Sequence, residues 1–115
     1  MKKIAAPPRA PEAEDCLLGS VLIDPKNYKI AEQYIVSDNV FWQDVSKALW
    51  EKITRCVREN KPYDQVTITS NLSEYEMDKG LNPYHITGLT TIASECGNVE
   101  EYAKIVYKKY LLRKL

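Results

Sequence analysis

The chain has 115 residues, with 16 basic and 16 acidic side chains, and is 44% hydrophobic. This length fits one domain with its own core, and the balanced charge lacks the basic footprint of a protein that binds DNA by itself. No run approaches the roughly 18 apolar residues of a membrane span, and residues 1–8 lack the apolar stretch of a secretory signal. These features favour a partner-binding protein in the cytosol.

The three cysteines, Cys16, Cys56 and Cys96, are spaced 40 residues apart. Their odd number predicts no closed disulfide framework, and their spacing fits no zinc motif. Each falls on an apolar helical stripe. We therefore predict that all three are small buried hydrophobic residues.

The chain begins with a proline-rich segment, so residues 1–10 are predicted to form a flexible, extended arm. Pro11 suits the first position of a helix, and the acidic residues that follow it suit the positive end of the helix dipole. Apolar or small residues occupy nearly every direction from Cys16 to Ile23, which predicts a central, buried helix. Gly19 in its middle lowers helix propensity, so we expect a neighbouring helix to approach closely there.

Asp24-Pro25 is predicted to end the first helix and to start a second. The second helix carries one apolar face, formed by Tyr28, Ala31 and Ile35. A third helix is predicted from about Trp42 to Glu59, and Trp42 and Trp50 are expected to be core anchors. Asn60 follows it as a candidate for the left-handed conformation.

Three shorter patterns complete the chain. Asp64 is placed to cap a fourth helix through about Glu76, and Gly80 marks the next break. Asn82-Pro83 predicts the start of a fifth helix, which Gly97 would terminate, and Asn98 with Glu101 resembles a capping box for the sixth. The one strand-like run, 66–69, has no second run to pair with. The fold class is therefore all-α, a compact bundle of about six helices.

The sixth helix has apolar residues on more than one face. One stripe contains Val99, Ala103 and Val106. Further apolar side chains lie off that stripe, namely Ile105, Tyr107, Leu111, Leu112 and Leu115. A lone helix does not leave so much apolar surface in water. The sequence ends without a cap, as though cut inside a helix, so we expect more chain or a second protomer to cover this surface.

Several segments together resemble a known family. Pro7-Pro8, Pro11–Glu14 and Leu17–Asp24 are similar to the opening of DnaB-type replicative helicases, in which proline-rich residues lead into an E-A-E…LGS-L-L-D helix. Pro62–Thr67 resembles the family's P-x-D-x-V-T turn, and Asn98–Arg113 its N-x-E-Y-A-K-I-V…LLR helix. The resemblance covers residues 7 to 115.

The resemblance implies a helical head at residues 11–97, followed at 98–115 by the first arm of a helical hairpin that pairs protomers. Six such copies form a collar above a ring of motor domains. The apolar residues of the sixth helix would then form an oligomerisation interface, and the domain would offer a surface to the primase and the helicase loader. ATP and magnesium would bind the motor domain of the full-length protein, which would also contact single-stranded DNA.

The sequence contains no G-x-x-x-x-G-K-[ST] phosphate loop, so the chain itself is not expected to be the ATPase and needs no cofactor. His85 is the sole histidine, which excludes a histidine-rich metal site. The basic residues Lys108, Lys109 and Arg113 could contact single-stranded DNA weakly. The favoured interpretation is that they complement the helix C-terminus and that their stems cover a protomer contact.

Two alternatives to a helicase collar stay open. A free-standing adaptor or decoy could use the same domain to regulate a helicase in trans, and the reading frame beyond Leu115 distinguishes it from a collar. A small enzyme would require turnover that disappears when His85 or a cysteine is changed.

Overall fold

The computed structural model describes residues 6–115, and within that range the regular structure is entirely helical. The helices are α1 (Pro11–Ile23), α2 (Lys26–Ala31), α3 (Asp44–Arg58), α4 (Gln65–Ser70), α5 (Glu74–Asp78), α6 (Pro83–Ala93) and α7 (Val99–Arg113), with a 3-10 turn at Asp38–Val40. The all-α prediction is confirmed. No helix in the described range is long and apolar enough to cross a membrane. The half of the predicted arm at residues 1–5 lies outside the described residues.

Helix α1 lies at the centre of the fold, with α6 and α7 packed along it. Leu17, Leu18 and Val21 of α1 have no solvent exposure. Since a helix buried on several sides needs apolar residues all round, the prediction of a central first helix is confirmed.

Helix α6 packs directly against Gly19 of α1. A Cβ atom at this position would overlap the backbone carbonyl oxygen of Leu89 and lie 2.9 Å from the Cβ of Ala93. The expected close contact at Gly19 is therefore present, and it explains why a residue of low helix propensity stands in the middle of a buried helix.

Helix α3 closes the other side of the core through Leu49, Trp50 and Ile53. The Trp50 ring stacks on Tyr28 with centroids 5.0 Å apart and lies 5.8 Å from the ring of Phe41. Trp50 is thus a core anchor, as predicted.

The prediction for Trp42 was wrong. Trp42 is 38% exposed, precedes α3 instead of starting it, and stacks under the Arg9 guanidinium 4.9 Å from the ring centroid. The cause is Glu14, whose buried carboxylate accepts hydrogen bonds from the backbone N–H groups of Trp42 (2.7 Å) and Gln43 (3.2 Å). These bonds hold both residues before the first helical turn, with Gln43 in extended backbone.

The ends of the middle helices depend on local capping. Asn60 has a φ of 57°, and the N–H of Lys61 donates to the Cys56 carbonyl at 2.8 Å, which together form the predicted left-handed C-terminal cap of α3. Asp64 caps α4 as predicted, through the N–H of Thr67.

The predicted fourth helix is two helices. Ser73 interrupts it and starts α5 in a capping box with Glu76. The other predicted box was only half correct, because Asn98 caps α7 through the N–H of Glu100 whereas Glu101 makes no return bond. Helix α6 ends at Ala93, earlier than Gly97 suggested. The two N-terminal outcomes follow from which side chain bonds the first turn, whereas Gly97 does not adopt the left-handed conformation that would end a helix there.

The cysteine prediction was wrong, because two of the three residues are paired and none of the three is fully buried. Cys16 of α1 and Cys96, which follows α6, form a disulfide with their Cα atoms 5.8 Å apart, and both are half-buried. Spacing along the chain cannot show this pair, because the packing of α1 on α6 brings together residues that are 80 positions apart. Cys56 is the free cysteine of the described range and is also half-buried.

Candidate self-association surface on the last helix

Helix α7 runs without interruption from Val99 to Arg113, and its sequence favours both the start and the length. Asn98 caps it, Glu100 and Glu101 complement the positive end of its dipole, and it contains neither glycine nor proline. The Tyr102 hydroxyl, which accepts from the N–H of Gly97 at 2.9 Å, ties the first turn to the preceding loop.

The inner face of α7 belongs to the core. Val99, Ala103 and Val106 are buried against α1 and α2. At the rim, the Tyr34 hydroxyl donates to the Glu100 carboxylate at 3.0 Å. That hydrogen bond, with some desolvation, raises the pKa of Tyr34, since losing the proton would place two negative charges together.

The outer face of α7 carries the predicted interface residues. Ile105 is 41% exposed, Leu111 45%, Leu112 39% and Leu115 98%. Tyr107 differs from them because it is half-buried against the core and packs beside Tyr110, with ring centroids 6.3 Å apart. We call Ile105, Leu111, Leu112 and Leu115 the outer apolar face. Exposed leucines concentrated in the last turns of a helix are a surface that water covers poorly.

The predicted basic residues do not share one environment. Lys108 is exposed and lies one helical turn before both Leu111 and Leu112, whereas Lys109 is half-buried. Arg113 turns back to the body of the protein, where its two Nη atoms donate to the carbonyl oxygens of Pro8 and Val40, each at 2.9 Å. A contact between Arg113 and nucleic acid would have to replace these two hydrogen bonds.

Arg113 has a positioning role that sequence reasoning missed. Its guanidinium joins the end of α7 to the 3-10 turn and to the described part of the arm. The charge complements the helix C-terminus, which the sequence did suggest, but the two carbonyl acceptors lie 73 and 105 residues away along the chain. No local signal points to them. The bonds fix the direction in which the outer apolar face points.

A separate cluster of charged side chains surrounds Glu76. Its carboxylate accepts from Lys52 Nζ at 2.9 Å and from the backbone N–H of Ser73 at 2.8 Å. Burial alone would raise the pKa of Glu76, but the Ser73 and Lys52 hydrogen bonds and the Lys52 charge outweigh it and lower the pKa. The cluster thus keeps an ionised carboxylate where the loop before α5 meets α3.

His85 is the one histidine considered for chemistry. His85 lies in the first turn of α6, where its N–H donates to the Asn82 side chain, and in residues 6–115 no three His, Cys, Asp or Glu side chains are grouped as metal ligands are. What the described residues do gather is apolar groups on one exposed helix face.

A helical domain whose last helix keeps one apolar face in water is typical of a module that assembles with other chains. The family model for the DnaB-like helicase N-terminal domain matches residues 6–108. The chain belongs to this family.

Relatives and a solved structure agree with that assignment. The chain is 29% identical over 110 residues to the replicative DNA helicase DnaB of Geobacillus stearothermophilus and 30% identical over 108 residues to that of Rhodothermus marinus. These matches cover 95% and 93% of this chain but 24% and 11% of the two relatives. The chain therefore spans a quarter or less of their length.

The fold is similar to the crystal structure of the N-terminal domain of DnaB helicase from Mycobacterium tuberculosis. The TM-score is 0.77 at 26% identity, with 96% of this chain and 79% of that chain covered. The resemblance stated from the sequence motifs is thereby confirmed as a family and as a fold.

Proposed function

We propose that this domain is the collar module of a hexameric replicative DNA helicase, in which it pairs protomers through the outer apolar face of α7. The observation that carries the proposal is the exposure of Leu111 and Leu112 near the end of α7 and of Leu115 just beyond it, while the opposite face of α7 is buried in the core. Family membership supports the helicase context. In the full-length protein a separate motor domain would bind ATP and magnesium and would engage single-stranded DNA.

The physical reason is the cost of leaving three leucines in water. Burying one leucine side chain contributes roughly 2 kcal/mol, and a two-fold interface buries each residue twice. Lys108 beside these residues can extend its stem over the contact and keep its charge in water. The hydrogen bonds of Arg113 hold the surface in one orientation, which lowers the entropy lost on pairing.

Sedimentation velocity tests the pairing, both on this chain at high concentration and on the full-length helicase. We expect modest self-association of the chain, and we expect Leu111→Asp or Leu112→Asp to weaken it at least about tenfold, because a charge then enters an apolar contact.

Val66→Asp is the matched control for these substitutions. Val66 is more exposed than either leucine but lies on α4, so the same change there should leave association unaltered. A strict monomer at high concentration, together with no effect of either leucine substitution on assembly of the full-length helicase, would refute the pairing surface.

The proposed docking partners are the primase and the helicase loader, for which the family supplies the only argument. Substitutions on the head helices α1–α6, and not on the outer apolar face, should weaken their binding. For the isolated domain we expect weak binding to single-stranded DNA, in keeping with its net charge of zero. The localisation that fits these partners is the cytoplasm of a bacterial cell.

A further inference from the structure

The disulfide between Cys16 and Cys96 joins two segments that are 80 residues apart in the sequence. Cys16 lies in the buried central helix α1, and Cys96 lies in the connection between α6 and α7. We propose that this pair is a reversible thiol–disulfide switch that fastens the α6–α7 connection to α1 under oxidising conditions and releases it under reducing ones.

The pair is not sealed inside the core. Both cysteines are half-buried, unlike Leu17 and Leu18 next to Cys16, which have no exposure. A permanent structural disulfide is protected by burial, whereas an accessible one is open to attack by a thiolate. The exposure of the pair therefore favours a bond that forms and breaks.

The fold around the pair does not depend on the covalent bond. Helices α1 and α6 are already in close contact at Gly19, and Leu89 of α6 is buried there. The sulfur of Cys96 lies 3.3 Å from the Ile92 carbonyl oxygen, so a reduced thiol has a hydrogen-bond acceptor in place. Reduction thus removes a link without opening the core.

The segment that the bond restrains has few other attachments. Ser94, Glu95, Gly97 and Asn98 are all exposed. Its hydrogen bonds are local: Glu95 and Cys96 donate to the last turn of α6, and Gly97 and Asn98 bond to the first turns of α7. Because local opening is easiest where buried contacts are few, the redox state of the pair should show most strongly in this segment.

The chemistry requires a disulfide oxidant, such as oxidised glutathione. The thiolate of one cysteine attacks a sulfur of the oxidant, forms a mixed disulfide and releases one reduced glutathione. The second cysteine loses its proton to solvent and displaces the second glutathione, so two protein thiols are oxidised and one glutathione disulfide is reduced. A dithiol reverses both steps.

Thiol counting in glutathione buffers tests whether the pair forms in the whole chain. Alkylation followed by mass spectrometry should find three free cysteines in reducing buffer and Cys56 alone in oxidising buffer. Oxidation should raise Tm on the order of 10 °C, because the bond closes a long loop in the unfolded chain. Hydrogen exchange at residues 94–98 should slow about tenfold, with little change in α3.

Two variants separate the switch from general effects of oxidation. Cys56→Ser should keep the full redox dependence of both Tm and exchange, whereas Cys16→Ser should abolish it. If Cys16→Ser does not fold, wild-type protein compared in the two buffers gives the same answer. Three alkylatable cysteines in oxidising buffer, or equal exchange at residues 94–98 in both buffers, would overturn the proposal.

Discussion

Gly19→Ala probes the contact on which the central packing depends. In an exposed helix interior, replacing glycine with alanine stabilises the protein by about 1 kcal/mol through helix propensity. At Gly19 the new methyl group would instead overlap the Leu89 carbonyl oxygen and press on the Ala93 methyl at 2.9 Å. We expect the substitution to destabilise the domain.

The magnitude follows from what can move. An overpacked core costs about 1–3 kcal/mol, and the upper end applies when the obstacle is backbone, which cannot rotate aside as a side chain does. Helices α1 and α6 must then separate along their line of contact. Subtracting the gain in helix propensity leaves a loss of about 2 kcal/mol, or roughly 8 °C in Tm for a domain of this size.

Urea unfolding followed by circular dichroism measures this loss, with the Cys16–Cys96 pair kept in one redox state throughout. Gly88→Ala is the matched control, because Gly88 lies in the middle of α6 and a Cβ atom there meets nothing within 4 Å. The control should stabilise the domain by about 0.5–1 kcal/mol. If both variants were stabilised equally, the reasoning from close helix contact would be wrong.

Three further substitutions test the caps and the buried carboxylates by urea unfolding. Glu14→Ala should cost about 2–3 kcal/mol, because it leaves the backbone N–H groups before α3 without an acceptor. The control Glu12→Ala, at an exposed position, should change stability by less than about 0.5 kcal/mol. Similar losses in the two variants would contradict the role of Glu14 as acceptor. Glu76 has a lowered folded pKa, so its stabilising contribution is fully present above its unfolded value of 4.5 and is lost as the pH falls through the folded pKa. Glu76→Gln should therefore reduce the loss of stability below pH 4.5, and exposed Glu74→Gln should not. Asn60→Val should cost about 1–2 kcal/mol and Asn60→Gly little, since φ at this position is 57°; equal costs would argue against a backbone effect.

The helix order could be predicted because its signals are local. Pro11, Pro25 and Pro83 each stand within the first turn of a helix or directly before one, and each has its missing N–H where no intrahelical bond is needed. Asn60 and Gly80 end helices through the left-handed conformation. One error of helix assignment occurred at Ser73, because its capping box with Glu76 starts a new helix and so divides the predicted fourth helix.

The self-association surface on α7 was predicted only in part, because the exposure of each residue depends on its neighbours in the fold. The sequence of the last helix shows that it has more apolar residues than one buried face needs. Which of them stay exposed depends on the neighbours, and Tyr107 proved half-buried because Tyr110 and the core accept its ring.

The sequence by itself determined an all-helical domain, its central first helix, the close contact at Gly19 and an over-apolar last helix. Each of these follows from residue type and periodicity within about one element. Tertiary structure alone decided the Cys16–Cys96 bond, the hydrogen bonds of Glu14 to the segment before α3 and the anchoring of Arg113. These pairs are separated by 28 to 105 residues, and only the packing of α1 with α3, α6 and α7 brings them into contact.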